Sequence, residues 1–368
     1  MSIIKTSKNY NTFFITSLIL LLLFIFSGCD NEDGNFSTNV INHLNDTNNY
    51  YSNNNNNEMN LLKVIESRDV MGTYMTITLF AESEINGKKA ISDAFIEVER
   101  IENLFSQYKN SSITGKLNQY GFVDDVSYEY YSVIKDSIVY GEITDGAFDI
   151  TVQPILDLYS ISFQNFQRPP SKKEIEEELN IVDYNKIAID GLCEVENISC
   201  SIRIDKNMKI TLGAIAKGYA IDKVLYTLRE KGFKNILVNA GGDMRGIGKK
   251  ADGEPWNIAL ENPDKKGDYL LNFNLINKAI ATSGNYERYF NENKSFHHIV
   301  NPKTGYSAQE CISVTIIAKT AMQADIMATS IFVLGPDKGI EMIEKYNDIE
   351  GLIVTKNREI IKSSGFVK

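Results

Sequence analysis

Histidine, cysteine and basic charge are all scarce in this chain. Three histidines and four cysteines occur among 368 residues, and 38 Lys and Arg stand against 48 Asp and Glu. The cysteines (Cys29, Cys193, Cys200 and Cys311) show no metal-binding spacing, which removes a cysteine-built metal centre. A net charge of −10 and a pI near 5.0 argue against nucleic acid or an acidic surface as the main partner, leaving room for a local basic pocket. No internal repeat is visible. A dinucleotide fingerprint is missing too: Ala240-Gly241-Gly242-Asp243 follows a predicted strand but lacks the spacing and the following helix, so a Rossmann site is rejected. The longest apolar run, Phe13 to Phe26, is short for a membrane span.

That run is placed as in a targeting segment. Lys5 and Lys8 precede it and Ser27-Gly28-Cys29 follows, so residues 1–28 read as a signal peptide with Cys29 as the lipidated first residue. A plain uncleaved anchor is the other reading. Either way the globular part is expected in the bacterial cell envelope, anchored to a membrane and facing the periplasm or exterior. Residues 29–60 are rich in Asn, Asp, Ser and Thr and bury too little apolar surface to fold. They read as a tether with a reach of roughly 30 Å, and His43 falls within it. Residues 61–368 form the folded domain. Cys193 and Cys200 flank a short polar turn where a hairpin disulfide is open to them outside the cytoplasm. Cys311 reads as a buried thiol.

Within the domain, Val64 to Phe80 alternates around Met71-Gly72-Thr73 as strands. Lys88 to Tyr108 is an amphipathic helix with Ala94, Val98, Ile101 and Phe105 on one face. Ser127 to Tyr140 is a second helix, and Thr144 to Thr151 is a turn and strand stopped by Pro154. Ser171 and Glu174 make a capping box. Ile202 to Leu212 reads as hairpin strands, followed by a helix whose face is Ala216, Ala220, Val224 and Leu228. Strands follow near residues 236, 257, 271 and 279–283. His297 to Val300 is a brief strand closed by the Asn301–Gly305 turn. Cys311 to Lys319 is a buried strand, and Ala321 to Leu334 a helix stopped by Gly335-Pro336. Without a regular βαβ rhythm, this mixture is α+β.

Several residues have chemical potential. Gly213 sits at a strand-to-helix turn where backbone N–H groups favour anions, and Lys217 adds a positive charge that the helix start does not favour. A phosphate partner explains that; a close-packed helix start explains the small residues. Asp325 and Thr329, four apart on one helical face, are hard oxygen donors suited to Mg²⁺. A helix-start Asp and a back-bonded Thr give the same spacing. Adjacent His297 and His298 point to opposite faces of a strand, so at most one serves a given pocket as a base. Asp149, beside Phe148 and Gly146, suits nucleotide recognition or a well-made turn. Tyr108 suits ring stacking or capping of the core.

In order, Met71-Gly72-Thr73, Thr144-Asp145-Gly146-Ala147-Phe148-Asp149, Leu212 to Gly218, Val238 to Asp243, Ser283 to Tyr286, His297 to Gly305 and Ala324 to Thr329 resemble the ApbE-type FAD:protein FMN transferases. The resemblance runs from Met71 to about Gly335. It implies an α+β fold of mixed sheets and packed helices in two intertwined subdomains. It also implies Mg²⁺-dependent transfer of FMN from FAD to a threonine of an exported acceptor protein of the respiratory-complex type, with release of AMP. By motif, Met71, Tyr108, Ala147, Phe148, Asp149, Thr211, Lys217 and Ile299 correspond to FAD contacts. Ala214, through its carbonyl, corresponds to a metal ligand with Asp325 and Thr329, and His298 to the base. Thr211 and Asn301 stand where the family usually has Asp. Water in place of the acceptor makes the same site an FAD pyrophosphatase, and loss of turnover makes it an FAD-binding lipoprotein.

Overall fold

Alternating apolar residues between Leu62 and Ala81 close a tight hairpin, β1 (Leu62–Val70) and β2 (Thr73–Ala81), with Val70 opposite Thr73. Met71 (φ 53°) and Gly72 (φ 69°) both take left-handed backbone, as a two-residue hairpin turn requires. The structure, a computed structural model, describes residues 61–191, 193, 200–265, 267–292 and 294–366. The expected signal peptide, Cys29 and the Asn-rich tether lie outside the described residues. Among the described residues no helix is long and apolar enough to cross a membrane.

Helix α1 (Glu84–Phe105) buries Ala94, Val98, Ile101 and Phe105 at the expected spacing. Next come α2 (Ile113–Tyr120), β3 (Phe122–Val123) and α3 (Tyr128–Ile143), the two helices capped by Ser112 and Ser127. Helix α4 (Gln153–Phe166) precedes α5 (Lys172–Leu179), which starts on the predicted Ser171–Glu174 capping box. Strands β4 (Ala188–Gly191) and β5 (Cys200–Arg203) form a hairpin, and a disulfide with Cα atoms 4.9 Å apart ties Cys193, two residues past β4, to Cys200 at the start of β5. Helix α6 (Ala216–Glu230) leads into β6 (Ile236–Ala240) and β7 (Asp243–Ile247). The hairpin β8 (Trp256–Glu261) and β9 (Tyr269–Leu275) precedes β10 (Lys278–Gly284). The wholly buried β11 (Cys311–Ala318), α7 (Ala321–Leu334), α8 (Pro336–Ile343), β12 (Glu350–Thr355) and β13 (Ile360–Lys362) complete the α+β unit.

The main sheet runs β1-β2-β6-β7-β10-β11-β12-β13, antiparallel throughout. One end of it gathers the β1–β2 turn, the β6–β7 turn and the end of β10. Gly241 N donates to Tyr74 O across the first two (3.0 Å), and Thr282 N donates to the Asp243 carboxylate across the second pair (3.0 Å). Helices α1, α6 and α7 cover one face of the sheet, and α4 with α5 makes a separate apolar cluster of Ile155, Tyr159, Ile175 and Val300. Phe290 and Phe296 pack onto Tyr159, which docks the segment between β10 and β11 on this cluster.

Three expectations are corrected. The segment after Asp149 is not a strand but a 3₁₀ turn (Ile150–Val152) running into α4; Asp149 caps it, and Pro154 sits in the first helical turn, where its missing N–H costs nothing. Met208 to Leu212 is not the second arm of a hairpin. Its backbone is claimed elsewhere: the Asn118 side chain exchanges two hydrogen bonds with Ile210, and Thr211 N donates to Ile150 O (2.7 Å). His297 to Val300 makes single bridges, Tyr289 to His297 and Val300 to Ser307, rather than a strand.

Helices α6 and α7 cross at Gly218, where an added Cβ would run into the Ala321 carbonyl and the Met322 backbone. In an open helix, Gly→Ala gains up to about 1 kcal/mol; here overpacking reverses the sign. Gly218→Ala is expected to lose roughly 1–3 kcal/mol in urea unfolding, and a gain in stability would place the crossing elsewhere.

Candidate active site

Lys217, in the first turn of α6, reaches across to β7 and pairs with Asp243 (Nζ to Oδ2 2.6 Å). Asp243 is 2% exposed, and its other oxygen accepts from Thr282 N, so the lysine is anchored to two strands at once. Burial by itself lowers the Lys217 pKa; Asp243, Asp325 and Glu287 outweigh it and hold the ammonium above its ordinary range. Five residues further along α6, Asp222 pairs with Arg245, two residues beyond Asp243 on β7. Two ion pairs of opposite polarity thus link this helix to this strand.

Asp325 lies on α7, buried, with Oδ2 accepting from Gly218 N of α6 (3.1 Å). Burial, then the neighbouring Asp243, pushes its pKa well above the usual carboxylate range; Lys217 and the Gly218 N–H oppose the rise. Among the described residues no ion pair reaches Asp325, in contrast to Asp222 and Asp243. Thr329, one turn on, shares a hydrogen bond with Ser283 of β10 (3.1 Å). Ala214 stands half-buried in the turn before α6, where Ile215 N and Ala216 N donate to Leu212 O.

The two histidines differ as expected. His297 is buried with both ring nitrogens engaged: Nε2 faces Ala308 O (2.9 Å) and Nδ1 accepts from Ile299 N (3.3 Å). It is structural, packed edge-on against Phe332. His298 is half-buried, and its Nδ1 lies 3.0 Å from Arg288 O. A carbonyl can only accept, so Nδ1 carries the proton and Nε2 keeps its lone pair. Burial, then the charges of Arg288 and Lys217, brings the His298 pKa down to about 4, so the ring is neutral at physiological pH.

Of the other expected contacts, Met71 sits in the β1–β2 turn at the same sheet end, and Tyr108 is 81% exposed just past α1. Ala147, Phe148 and Ile299 are buried. Asp149 spends its carboxylate on the fold: Oδ1 accepts from Thr151 N (2.8 Å) and Thr151 Oγ1 (2.6 Å), and Oδ2 from Tyr184 N (3.2 Å). The Thr211 hydroxyl turns back to accept from Gly213 N (3.2 Å). Asn301 makes the tight turn, with its carbonyl accepting from Gly305 N (2.8 Å). Sequence reasoning missed Asp222 and Glu287, and noted Asp243 only as part of a glycine motif.

A family model for the ApbE family matches residues 71–353. The chain belongs to the ApbE family. A relative from Haemophilus influenzae, named as a FAD:protein FMN transferase, is 33% identical over 318 residues, covering 83% of this chain and 91% of that protein. One from Klebsiella pneumoniae, of the same name, is 30% identical over 301 residues, covering 80% and 90%. The crystal structure of the ApbE protein from Thermotoga maritima shares 33% identity and superposes with a TM-score of 0.73 over 83% of this chain and 98% of its own. The flavin transferase ApbE from Vibrio cholerae shares 27% identity with a TM-score of 0.72, over 83% and 98%.

The donor chemistry fits the Mg²⁺ that the ApbE resemblance implies. Among the described residues no three His, Cys, Asp or Glu side chains gather around one point. A buried carboxylate without a cation at bonding distance, a hydroxyl one turn away and a turn carbonyl are hard oxygens. They suit an ion that keeps several waters and accepts substrate phosphates.

His297 and His298, both held near 4, contribute to the pH response of the fold in the same direction, and His297 is the one that serves the fold alone. Burial holds its pKa near 4, against an ordinary 6.5. Between those values the unfolded chain binds more protons, so stability rises with pH through this window and is lost as pH falls from 6.5 to 4. The loss assigned to His297 is of order 2–3 kcal/mol. His297→Gln is expected to reduce the dependence in denaturant unfolding at pH 4.5 to 7, leaving the part due to His298; an unaltered slope would remove His297 from the account.

Proposed function

We propose that this chain moves FMN from FAD to an acceptor protein, the activity for which its relatives are named. We propose further that the acceptor atom is a threonine hydroxyl, that AMP leaves, and that Mg²⁺ is required. One observation carries the catalytic reading: at the start of α6, Lys217 is held by buried Asp243 while buried Asp325, with no ion pair among the described residues, bonds Gly218 N, and the His298 ring is oriented by Arg288 O through Nδ1.

In this mechanism Lys217 holds the negative charge of the FAD pyrophosphate, and Asp243 keeps the lysine in place and charged. His298 Nε2 takes the proton from the threonine hydroxyl. The freed oxygen attacks the FMN-side phosphorus, the pyrophosphate P–O bond breaks, and AMP carries away the electron pair. Asp325, Thr329 and the Ala214 carbonyl would hold Mg²⁺, which supplies Lewis-acid stabilisation of the phosphate charge. Met71, Tyr108 and the Ala147-Phe148-Asp149 turn, with Thr211 and Ile299, form the flavin and adenine walls. Asp149 and Thr211 do so through the backbone they shape, since their side chains are already bonded within the fold.

The same reading places the domain outside the cytoplasm, carried by a lipidated Cys29 and the Asn-rich tether, with an exported respiratory-type subunit as acceptor. The Cys193–Cys200 disulfide accords with an oxidising compartment.

The full chain, incubated with FAD, Mg²⁺ and a threonine-bearing acceptor domain, is expected to leave fluorescent flavin on the denatured acceptor and to release AMP in equal amount. AMP without labelling would make it an FAD pyrophosphatase; bound FAD without AMP would remove both activities. His298→Asn is expected to slow labelling by about 10²-fold or more while FAD binding persists. Asp325→Ala is expected to abolish Mg²⁺-dependent turnover, and an unchanged rate would take Asp325 out of the metal site.

A further inference from the structure

Each of the two crossing helices gives first-turn N–H groups to an acid on the other. Asp325 of α7 accepts from Gly218 N of α6, as described. In return Asp222 of α6 accepts from Ala321 N (Oδ1, 2.9 Å) and Met322 N (Oδ2, 3.0 Å), the first two residues of α7. The spacing is the same in both directions: Asp222 lies four residues after Gly218, and Asp325 four after Ala321. Neither helix can slide or turn at the crossing without breaking bonds on both sides. Only Asp222 has a cation of its own, Arg245, and its half of the lock is therefore charge-neutral and closed.

We propose that Asp222, held by Arg245, is a positioning residue for the metal side of the site. This rests on the proposed function. Asp222 does not touch the reacting groups. It fixes where α7 begins against α6, which sets how the Asp325 carboxylate and the Thr329 hydroxyl, four and eight residues along, present themselves beside Lys217. Asp222→Asn keeps the side-chain shape and one carbonyl acceptor but loses the charge that Arg245 and two helix N–H groups share. The start of α7 loosens, and the oxygen donors lose their fixed spacing while Lys217 and His298 stay in place.

The test uses the full chain and three variants: Asp222→Asn, Arg245→Gln, and Glu129→Gln as a control. Glu129 also bonds α6, through the Tyr219 hydroxyl, but away from α7. Mg²⁺ binding is followed calorimetrically in the presence of FAD, and FAD binding by fluorescence without metal. The expected result is a Mg²⁺ affinity about tenfold weaker in Asp222→Asn, a smaller weakening in Arg245→Gln, and none in Glu129→Gln. FAD affinity without metal should stay within twofold for all three, and Asp222→Glu should recover part of the loss. Parental Mg²⁺ affinity in folded Asp222→Asn would overturn the assignment, as would equal weakening in Glu129→Gln. If Asp222→Asn does not fold, Arg245→Gln decides between the same outcomes. A parent chain that binds no Mg²⁺ would overturn the proposed function itself, a result visible before any variant is made.

Discussion

The close crossing of α6 and α7 is the constraint on which the rest of the site depends. Its contact residue has no side chain, so the two backbones approach until each helix start is within hydrogen-bonding range of an acid on the other. Helix starts carry unsatisfied N–H groups and partial positive charge, and a buried helix start needs an acceptor. Here the acceptors are carboxylates, which satisfies the N–H groups but brings negative charge into the core. Arg245 and Lys217 answer two of the three acids in this region, half-buried Asp222 and buried Asp243; among the described residues Asp325 has no ion pair. The unequal charge count at the crossing is therefore a structural fact with chemical meaning.

The sheet places these groups by register rather than by proximity in sequence. The β6–β7 turn sets Asp243 beside Ala240, and the antiparallel pairing of β7 with β10 brings Thr282 to Asp243 and Ser283 towards Thr329. A one-residue slip in either pairing would turn Asp243 to the opposite face and leave Lys217 without its partner. The segment carrying His298 enters by another route, on phenylalanines that pack against Tyr159 of α4. The same segment also touches α7, through His297 packed edge-on against Phe332, so it is held between two helices.

Local pattern made much of this legible. The α1 and α6 faces, the Ser171 capping box and the buried run at β11 are set by periods of a few residues, and the structure has them where the sequence put them. Errors came where distant groups override local preference. Met208 to Leu212 has the alternation of a strand, yet Asn118 and Ile150 take its backbone bonds. Pro154 looks like a strand breaker until Asp149 caps the turn before it. In the site, Lys217, Asp325 and Thr329 were visible as residue types at helical spacing, and His298 as one of a rare pair. Asp222 and the partnership of Asp243 with Lys217 were not visible, because nothing local links position 222 to 321 or 217 to 243.

The main sheet also governs the order in which the chain acquires structure. Strand β2 has β1 on one side, available at once, and β6 on the other, with Met75 paired to Ala240. The first hairpin must keep an open edge until the intervening helices and the small disulfide-linked sheet have been synthesised, and such long-range pairing slows folding. An unpaired edge strand invites association with other chains while it waits. Here that edge includes Ile77 and Leu79, both completely buried in the finished domain. Closure of β2 on β6, which buries that edge, is therefore a step at which the partly folded chain is open to association with other chains.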